Sequence, residues 1–140
     1  MPSAGAARSL LLVNSRMGPY FVVFAGAGLG GVARHAVNVI AGRLGYAFPL
    51  GTLAVNVVGS FLMGVLAAWF AQRSDISQHM RFFLTTGVLG GFTTFSAFSL
   101  DAALMWERGA FGPFALYVLA SLLLSVVGLF AGMTAMRLLA

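Results

Sequence analysis

Four long apolar segments, separated by short polar connections, make up most of this 140-residue sequence. Each segment has about 20 residues, the length that an α-helix needs to cross the hydrocarbon core of a bilayer. The pattern predicts an all-α membrane protein with one domain at residues 18–140 and four transmembrane helices, at about 19–41, 50–71, 81–105 and 112–137. Residues 1–17, which are small, polar and basic, are expected to form a disordered or interfacial extension.

The third segment departs from a simple apolar pattern between residues 87 and 99. These thirteen positions hold three glycines and four hydroxyl residues, which weaken a helix or compete for its hydrogen bonds. Irregular backbone at membrane depth persists only where protein groups or a wet cavity satisfy it. We therefore predict a break at about residues 90–94 with an ion site beside it, since carbonyls freed near Gly90 and Thr93 suit a monovalent cation.

Polar residues also recur at helical spacing on two other segments. Each stripe has its members four residues apart: Thr52, Asn56 and Ser60 on the second segment, and Tyr117, Ser121 and Ser125 on the fourth. Hydrogen bonding between helices is a common role for any single residue of this kind. Two stripes together with the hydroxyls of the third segment favour a lined path, in which Asn56 has the most hydrogen-bonding capacity to satisfy.

The chemistry of these stripes favours an anion as the occupant of the path. No Asp, Glu, Lys or Arg falls on them. Hydroxyl groups and the Asn56 amide donate hydrogen bonds, and the positive ring edges of Phe95 and Phe98 could meet an anion without a fixed charge. Ordinary packing is the alternative explanation for two phenylalanines three residues apart.

The composition supports a membrane protein and removes several other classes. Hydrophobic residues make up 60% and charged residues 8%, with a mean hydropathy of +0.96, whereas about a quarter of the residues in soluble domains are charged. The absence of cysteine excludes disulfides and thiolate metal sites, and no basic cluster indicates nucleic acid. The basic residues suit lipid headgroups, and their excess on the side of the termini mildly favours cytoplasmic termini. Without the two arginines of residues 1–17 the counts are nearly level, as expected for a chain that inserts in both orientations.

Three strings carry a resemblance to a known family: GGVAR at 30–34, GTLAVNVVGS at 51–60 and GGFTTFSAFS at 90–99. On four spans in this order, they resemble the Fluc/CrcB fluoride channels, and the match covers almost everything after residue 18. The sequence departs from that family's pattern at Ala97, Asp101 and His35, where a hydroxyl, a glutamate and an aromatic residue are usual.

The resemblance implies a four-helix subunit that pairs antiparallel with an inverted copy of itself in the inner (plasma) membrane, with two pores for passive fluoride export per dimer. It also implies a structural Na⁺ at the dimer centre, bound by the Gly90 and Thr93 carbonyls of both subunits. It assigns Asn56 as the pore amide, Phe95 and Phe98 as ring-edge ligands, Ser96, Tyr117, Ser121 and Ser125 as the polar track, and Arg34 as a vestibule residue. Thr52 and Thr94, from the polar sets above, complete the predicted pore.

Other functions stay open beside a fluoride channel that confers fluoride resistance. A proton-coupled small multidrug exporter also has four spans, but it needs a titratable carboxylate deep in a span, and Asp101 lies near a span end. A non-conducting membrane scaffold would use hydroxyls only to join helices. An enzyme is not expected, because His35 and His79 do not form a nucleophile–base arrangement. Arg34 and Asp101, the charges farthest inside the spans, are hypothesised to pair or share water at one vestibule.

Overall fold

The computed structural model describes the backbone of residues 4–45 and 48–139, and side chains from residue 17 onward within those ranges. Every secondary-structure element over these residues is helical: α1 (Ala4–Arg43), α2 (Leu50–Ala71), α3 (Gln78–Phe82), a π-helix (Phe83–Leu89), α4 (Gly90–Phe92), α5 (Phe95–Glu107) and α6 (Phe111–Leu138). Four stretches are long and apolar enough to cross a membrane: Met17–Arg43, Leu50–Ala71, Gln78–Glu107 and Phe111–Leu138. The prediction of a multi-pass, all-α membrane protein is confirmed, with span ends within three residues of those predicted.

The helix that carries the first span begins well before the apolar segment does. α1 starts at Ala4, and the spanning part starts at Met17. Side chains of residues 4–16 and all of residues 1–3 lie outside the described residues. The prediction that residues 1–17 form a disordered or interfacial extension therefore stays a prediction.

The third span is broken, as predicted, and the break is confined to two residues. Thr93 (φ −81°, ψ 158°) and Thr94 (φ −155°, ψ 120°) are both extended, between the single turn α4 and the start of α5. The Thr94 hydroxyl accepts a hydrogen bond from the Ala97 amide at 3.2 Å. A threonine at this position is a favourable N-cap, because it satisfies one of the amides left free at a helix start.

The π-helix at Phe83–Leu89, which precedes α4, was missed by sequence reasoning. At its end the Gly90 amide donates to the Thr85 carbonyl, five residues back, as well as to Gly87. A π-helix widens the coil by one residue per turn and occurs most often near functional sites. No composition or periodicity distinguishes such a turn from α-helix, so the sequence carried no signal for it.

Glycines bring α1 against the third span at backbone-to-backbone distance. An added Cβ at Gly26 would lie 2.7 Å from the Phe83 carbonyl oxygen, and one at Gly30 would overlap the Val88 carbonyl. From the other side, an added Cβ at Gly91 would overlap the Ala27 carbonyl. Gly26 and Gly30 are four residues apart, a spacing of small residues that predicts close helix contact, and the structure has that contact.

A second glycine-mediated contact joins α2 and α6 along most of their length. An added Cβ at Gly132 would overlap the Phe61 carbonyl of α2, and one at Gly64 would overlap the Leu129 carbonyl of α6. The buried apolar cluster lies beside this pair and consists of Phe98, Ala102, Met105 and Tyr117. The break in the third span is thus held between α1 on one side and the α2–α6 pair on the other.

Candidate functional site

A groove of about 320 Å³ lies where α2, α6 and the break of the third span meet. Its lining is Asn56, Gly59, Ser60, Met63, Thr93, Thr94, Phe95, Phe98, Ser121, Leu122, Ser125, Val126 and Leu129. The groove therefore brings together part of each predicted polar stripe and the two predicted phenylalanines. None of the described residues that line it carries a charge.

Asn56 binds the backbone of the break through both ends of its side-chain amide. Its Nδ2 donates to the Thr94 carbonyl at 2.9 Å, and its Oδ1 accepts from the Thr94 amide at 2.8 Å. Nδ2 has two hydrogens, so one donor is left on the groove side after the bond to Thr94. Sequence reasoning placed Asn56 in the path but missed this contact with the chain itself.

Ser121 contributes a buried hydroxyl to the lining of the groove. Its side chain is only 5% exposed, and its hydroxyl oxygen has no hydrogen-bond partner among the described residues. A buried polar group without a partner costs about 1–3 kcal/mol, so such groups are rare and call for an explanation. A hydroxyl donor that faces an uncharged groove would be satisfied by an anion or by water.

The two phenylalanines of the motif lie next to each other at the mouth of the groove. Their ring centroids are 5.3 Å apart with an interplanar angle of 45°. Phe98 is 8% exposed and belongs to the core cluster, whereas Phe95 is 73% exposed. Phe98 is therefore fixed by packing within the subunit, and the Phe95 ring presents its surface to whatever lies outside it.

The N-terminus of α5 begins at the same groove. Thr94 is the N-cap and Phe95 is the first helical residue, and a helix N-terminus carries partial positive charge from its free amides. Ser96, which is exposed, has its hydroxyl 3.2 Å from the Thr94 hydroxyl. The groove thus offers an anion a helix end and neutral donors instead of a fixed positive charge.

Three of the predicted pore residues, Thr52, Tyr117 and Ser96, lie outside the groove lining, and so does the predicted vestibule residue Arg34. Thr52 lines a second cavity of about 200 Å³, which Asn38, Phe48, Gly51 and Asp101 also line. Tyr117 is fully buried, packs on Phe98 at 5.2 Å and donates its hydroxyl to Asp101 Oδ2 at 3.2 Å. Arg34 is half-buried on α1 and lines neither cavity over the described residues.

Asp101 was hypothesised to pair with Arg34, but the structure gives its carboxylate a different partner. Asp101 is bound by the Tyr117 hydroxyl, one helix away on α6. The polar stripe of α6 therefore divides: Tyr117 is bound to Asp101, whereas Ser121, one turn further along, lines the groove. The sequence showed the stripe but carried no signal for this division.

The carbonyls of Gly90 and Thr93 fit the chemistry of a monovalent cation. In a continuous helix their partners would be the amides of Thr94 and Ala97. The structure commits the Thr94 amide to Asn56 Oδ1 and the Ala97 amide to the Thr94 hydroxyl. Both carbonyl oxygens are therefore released from these helical partners, and Gly90 lies on the subunit surface.

Sequence reasoning also missed the apolar wall of the groove and one small residue in it. Met63, Leu122, Val126 and Leu129 supply most of that wall. Gly59 matters more, because an added Cβ there would overlap the Thr93 methyl group. Its place three residues after Asn56, on the same side of α2, was the available signal.

A multi-pass helical protein whose broken span opens onto an uncharged groove, lined by polar side chains and an apolar wall, belongs to the class of membrane ion channels and transporters. The sequence profile described as "CrcB-like protein, Camphor Resistance (CrcB)" matches residues 21–133. The chain belongs to the CrcB family.

Curated relatives are similar over most of their own length. "Fluoride-specific ion channel FluC" of Rhodopseudomonas palustris (strain BisB5) is 57% identical over 119 residues, which cover 84% of this chain and 96% of the relative. The protein of the same name from Methylobacterium nodulans is 56% identical, with 83% and 94% covered. That from Rhodospirillum centenum is 58% identical, with 82% and 92% covered.

Proposed function

We propose that this protein is a fluoride-selective channel, not an enzyme, and that it lets fluoride leave the cell passively and so confers fluoride resistance. Relatives that carry the name fluoride-specific ion channel support this, at 55–58% identity in three of them. Membership of the CrcB family supports it further. The observation that carries the proposal is the buried, unpaired Ser121 hydroxyl in a groove without charged residues.

The groove offers the substitutes for water that a small, tightly hydrated anion needs. Hydroxyls of Ser121 and Ser125 and the remaining Asn56 N–H can donate hydrogen bonds to it. The ring edges of Phe95 and Phe98 carry partial positive charge. A larger halide gains less from such close contacts, so selectivity follows from the size of the anion. Thr52, Thr94, Ser96 and Tyr117 remain proposed parts of the track, and Arg34 of a vestibule.

The working unit is an antiparallel homodimer in the inner membrane, with its outer surface in lipid. The strongly exposed Phe95 ring and the surface position of Gly90 support a partner at the break. The nearly even division of arginines outside residues 1–17 supports insertion in both orientations. A two-fold axis through this surface would supply each groove with groups from both subunits.

A structural sodium ion is part of the proposal. The released Gly90 and Thr93 carbonyls would hold it, and a symmetric copy would contribute the same pair. Carbonyl oxygens at unwound helix segments are the usual ligands of monovalent cations in membrane proteins. When bound, the ion supplies positive charge that offsets the carbonyl dipoles at the break.

The test of conduction is fluoride efflux from liposomes that contain the purified protein, followed with a fluoride electrode. Fluoride efflux should be rapid when the liposomes contain fluoride. When they contain chloride at the same membrane potential, a chloride electrode should detect no chloride efflux. Ser121→Ala should lower fluoride efflux at least about tenfold, since one hydrogen bond to a charged group contributes about 1.5–3 kcal/mol.

The matched control is Ser99→Ala, which removes a hydroxyl from α5 that already donates to the Phe95 carbonyl and does not line the groove. It should retain most of the efflux. Equal passage of chloride and fluoride by the wild-type protein would overturn the proposed function. Efflux unchanged in Ser121→Ala would remove Ser121 from the path.

A further inference from the structure

The break in the third span is held from outside the span, by α2. Asn56 donates to the Thr94 carbonyl and accepts from the Thr94 amide, so one side chain holds both backbone groups of Thr94 and takes the place of the helical acceptor of its amide. Three residues further along α2, Gly59 leaves the space that the Thr93 methyl group fills. Two positions of α2, three residues apart, thus contact the two residues at which the third span departs from helix.

The Gly90 and Thr93 carbonyls each lack a helical partner because one side chain accepts a hydrogen bond from the amide that would otherwise bind the carbonyl. The Thr94 amide would bond the Gly90 carbonyl in a continuous helix, but Asn56 Oδ1 takes it. The Ala97 amide would bond the Thr93 carbonyl, but the Thr94 hydroxyl takes it. The pair of released carbonyls therefore exists because Asn56 and Thr94 hold the competing amides.

We propose that Asn56 is a positioning residue for the cation site at the break: by holding the Thr94 peptide, it keeps the Gly90 carbonyl available to sodium. This role is additional to any contact of Asn56 with an anion in the groove. It rests on the proposed sodium site but not on fluoride conduction. It makes sodium affinity depend on a residue that does not touch the ion.

The physical reason is competition for one carbonyl oxygen. Without the Asn56 amide, the Thr94 N–H is a buried donor in need of a partner, and the Gly90 carbonyl is the helical one. A bond between them would redirect the oxygen along the helix axis and away from an ion. The Thr94 hydroxyl plays the same part for the Thr93 carbonyl, so its removal should weaken the same site.

The experiment measures thermal unfolding of the purified full-length protein in detergent as a function of sodium chloride, with N-methyl-D-glucamine chloride keeping ionic strength constant. A ligand that binds only the folded state raises its stability with concentration. For the wild type, sodium should raise the melting temperature in a saturable way. In Asn56→Ala, the sodium concentration for half of that effect should rise at least about tenfold.

Ser60→Ala is the matched control, because it removes a polar group one turn along α2 that lines the same groove. Its half-maximal sodium concentration should stay within about twofold of the wild type. Thr94→Val and Thr94→Ser form a second pair, which also serves if Asn56→Ala does not fold. The valine should weaken the sodium response, and the serine, which keeps the hydroxyl, should restore it.

A wild-type sodium response in Asn56→Ala would overturn the inference, and so would a wild-type protein whose melting does not respond to sodium. Fluoride efflux separates this result from the proposed function. Fluoride efflux by the wild type, together with an unchanged sodium response in Asn56→Ala, would contradict this inference but not the proposed function. A weakened sodium response in Asn56→Ala with no fluoride efflux from the wild type would support the inference and contradict the channel.

Discussion

The groove and the second cavity share α2 as a wall, yet they differ in whether a key polar group has a hydrogen-bond partner. In the groove, the buried Ser121 hydroxyl has no partner among the described residues, and no lining residue is charged. Beside the second cavity, the Asp101 carboxylate accepts the hydroxyl of Tyr117. Unpaired neutral donors suit a passing anion, whereas a carboxylate with a bound donor suits a fixed contact between helices.

The boundary between the two regions falls within a single turn of α6. Tyr117 and Ser121 are four residues apart on one stripe, but Tyr117 is committed to Asp101 and packed on Phe98. The same kind of substitution should therefore have different effects in the groove and in the second cavity. The following pairs are arranged from the largest expected difference to the smallest.

Asn56→Asp in the groove and Asn38→Asp in the second cavity should differ most. The first puts a negative charge in the proposed anion path and removes the donor to the Thr94 carbonyl. Two like charges about 4 Å apart cost about 4 kcal/mol at an effective dielectric constant near 20, or about a thousandfold in rate. Fluoride efflux from liposomes should be lost in Asn56→Asp and largely kept in Asn38→Asp.

The control for this pair is the elution profile of each purified variant, which should match that of the wild type. Near-normal efflux in a well-folded Asn56→Asp variant would contradict the placement of Asn56 in the path. Loss of efflux in both variants would mean that the two cavities belong to one path and that the contrast drawn here is wrong.

Gly59→Ala and Gly51→Ala test the same substitution at one buried glycine of each region. At Gly59 the new methyl group would overlap the Thr93 methyl, whose backbone forms the break. At Gly51 it would overlap Asn38 Oδ1, the end of a flexible side chain, and would lie 3.1 Å from Asn38 Cα and 3.2 Å from Ala41 Cβ. Overpacking against a fixed group costs about 1–3 kcal/mol, so Gly59→Ala should lower both the melting temperature and fluoride efflux more than Gly51→Ala.

Gly42→Ala controls this comparison, because a Cβ there meets nothing within 4 Å although the residue lines the second cavity. It should leave melting unchanged or slightly raised, since alanine is the better helix former by up to about 1 kcal/mol. If Gly51→Ala proved more harmful than Gly59→Ala, the break would not be the rigid part of the site.

Ser121→Ala and Tyr117→Phe each remove one hydroxyl from the same stripe, and their effects on stability should have opposite signs. Ser121→Ala deletes an unpaired buried group, so the melting temperature should stay or rise while fluoride efflux falls. Tyr117→Phe leaves the Asp101 carboxylate without its donor, so stability should fall by about 1 kcal/mol. Thermal melting in detergent distinguishes them, and a clear loss of stability in Ser121→Ala would contradict an unpaired hydroxyl.

Much of this architecture could be predicted because it follows from the spacing of apolar and small residues along the sequence. Apolar runs gave the four spans, and glycines with hydroxyls gave the break, which the structure has at Thr93 and Thr94. Glycines four residues apart indicated close contacts, and the structure has them at Gly26 and Gly30. Spacing on one helix specifies which residues share a face.

Spacing does not specify which neighbour that face meets, and the site depends on such meetings. The bond from Asn56 to the Thr94 peptide joins residues 38 apart, and no periodic signal links them. The partner of Asp101 is Tyr117, although the two deepest charges suggested Arg34. The π-helix was missed for a related reason, since it changes the hydrogen-bond register without changing the composition.

The smallest expected effect concerns those two alternative partners of Asp101. Stability is measured for Tyr117→Phe, Arg34→Ala and Asp101→Asn, and for each of the first two combined with Asp101→Asn. A hydrogen bond between helices in a membrane protein contributes about 0.6 kcal/mol on average and about 1.7 kcal/mol at most. Tyr117 and Asp101 should show a coupling energy in that range, because the second substitution removes a contact that the first has already lost. Arg34 and Asp101 should be additive to within about 0.5 kcal/mol. Coupling of Asp101 to Arg34 but not to Tyr117 would mean that the carboxylate serves a charged vestibule and that the contrast between the two cavities does not hold.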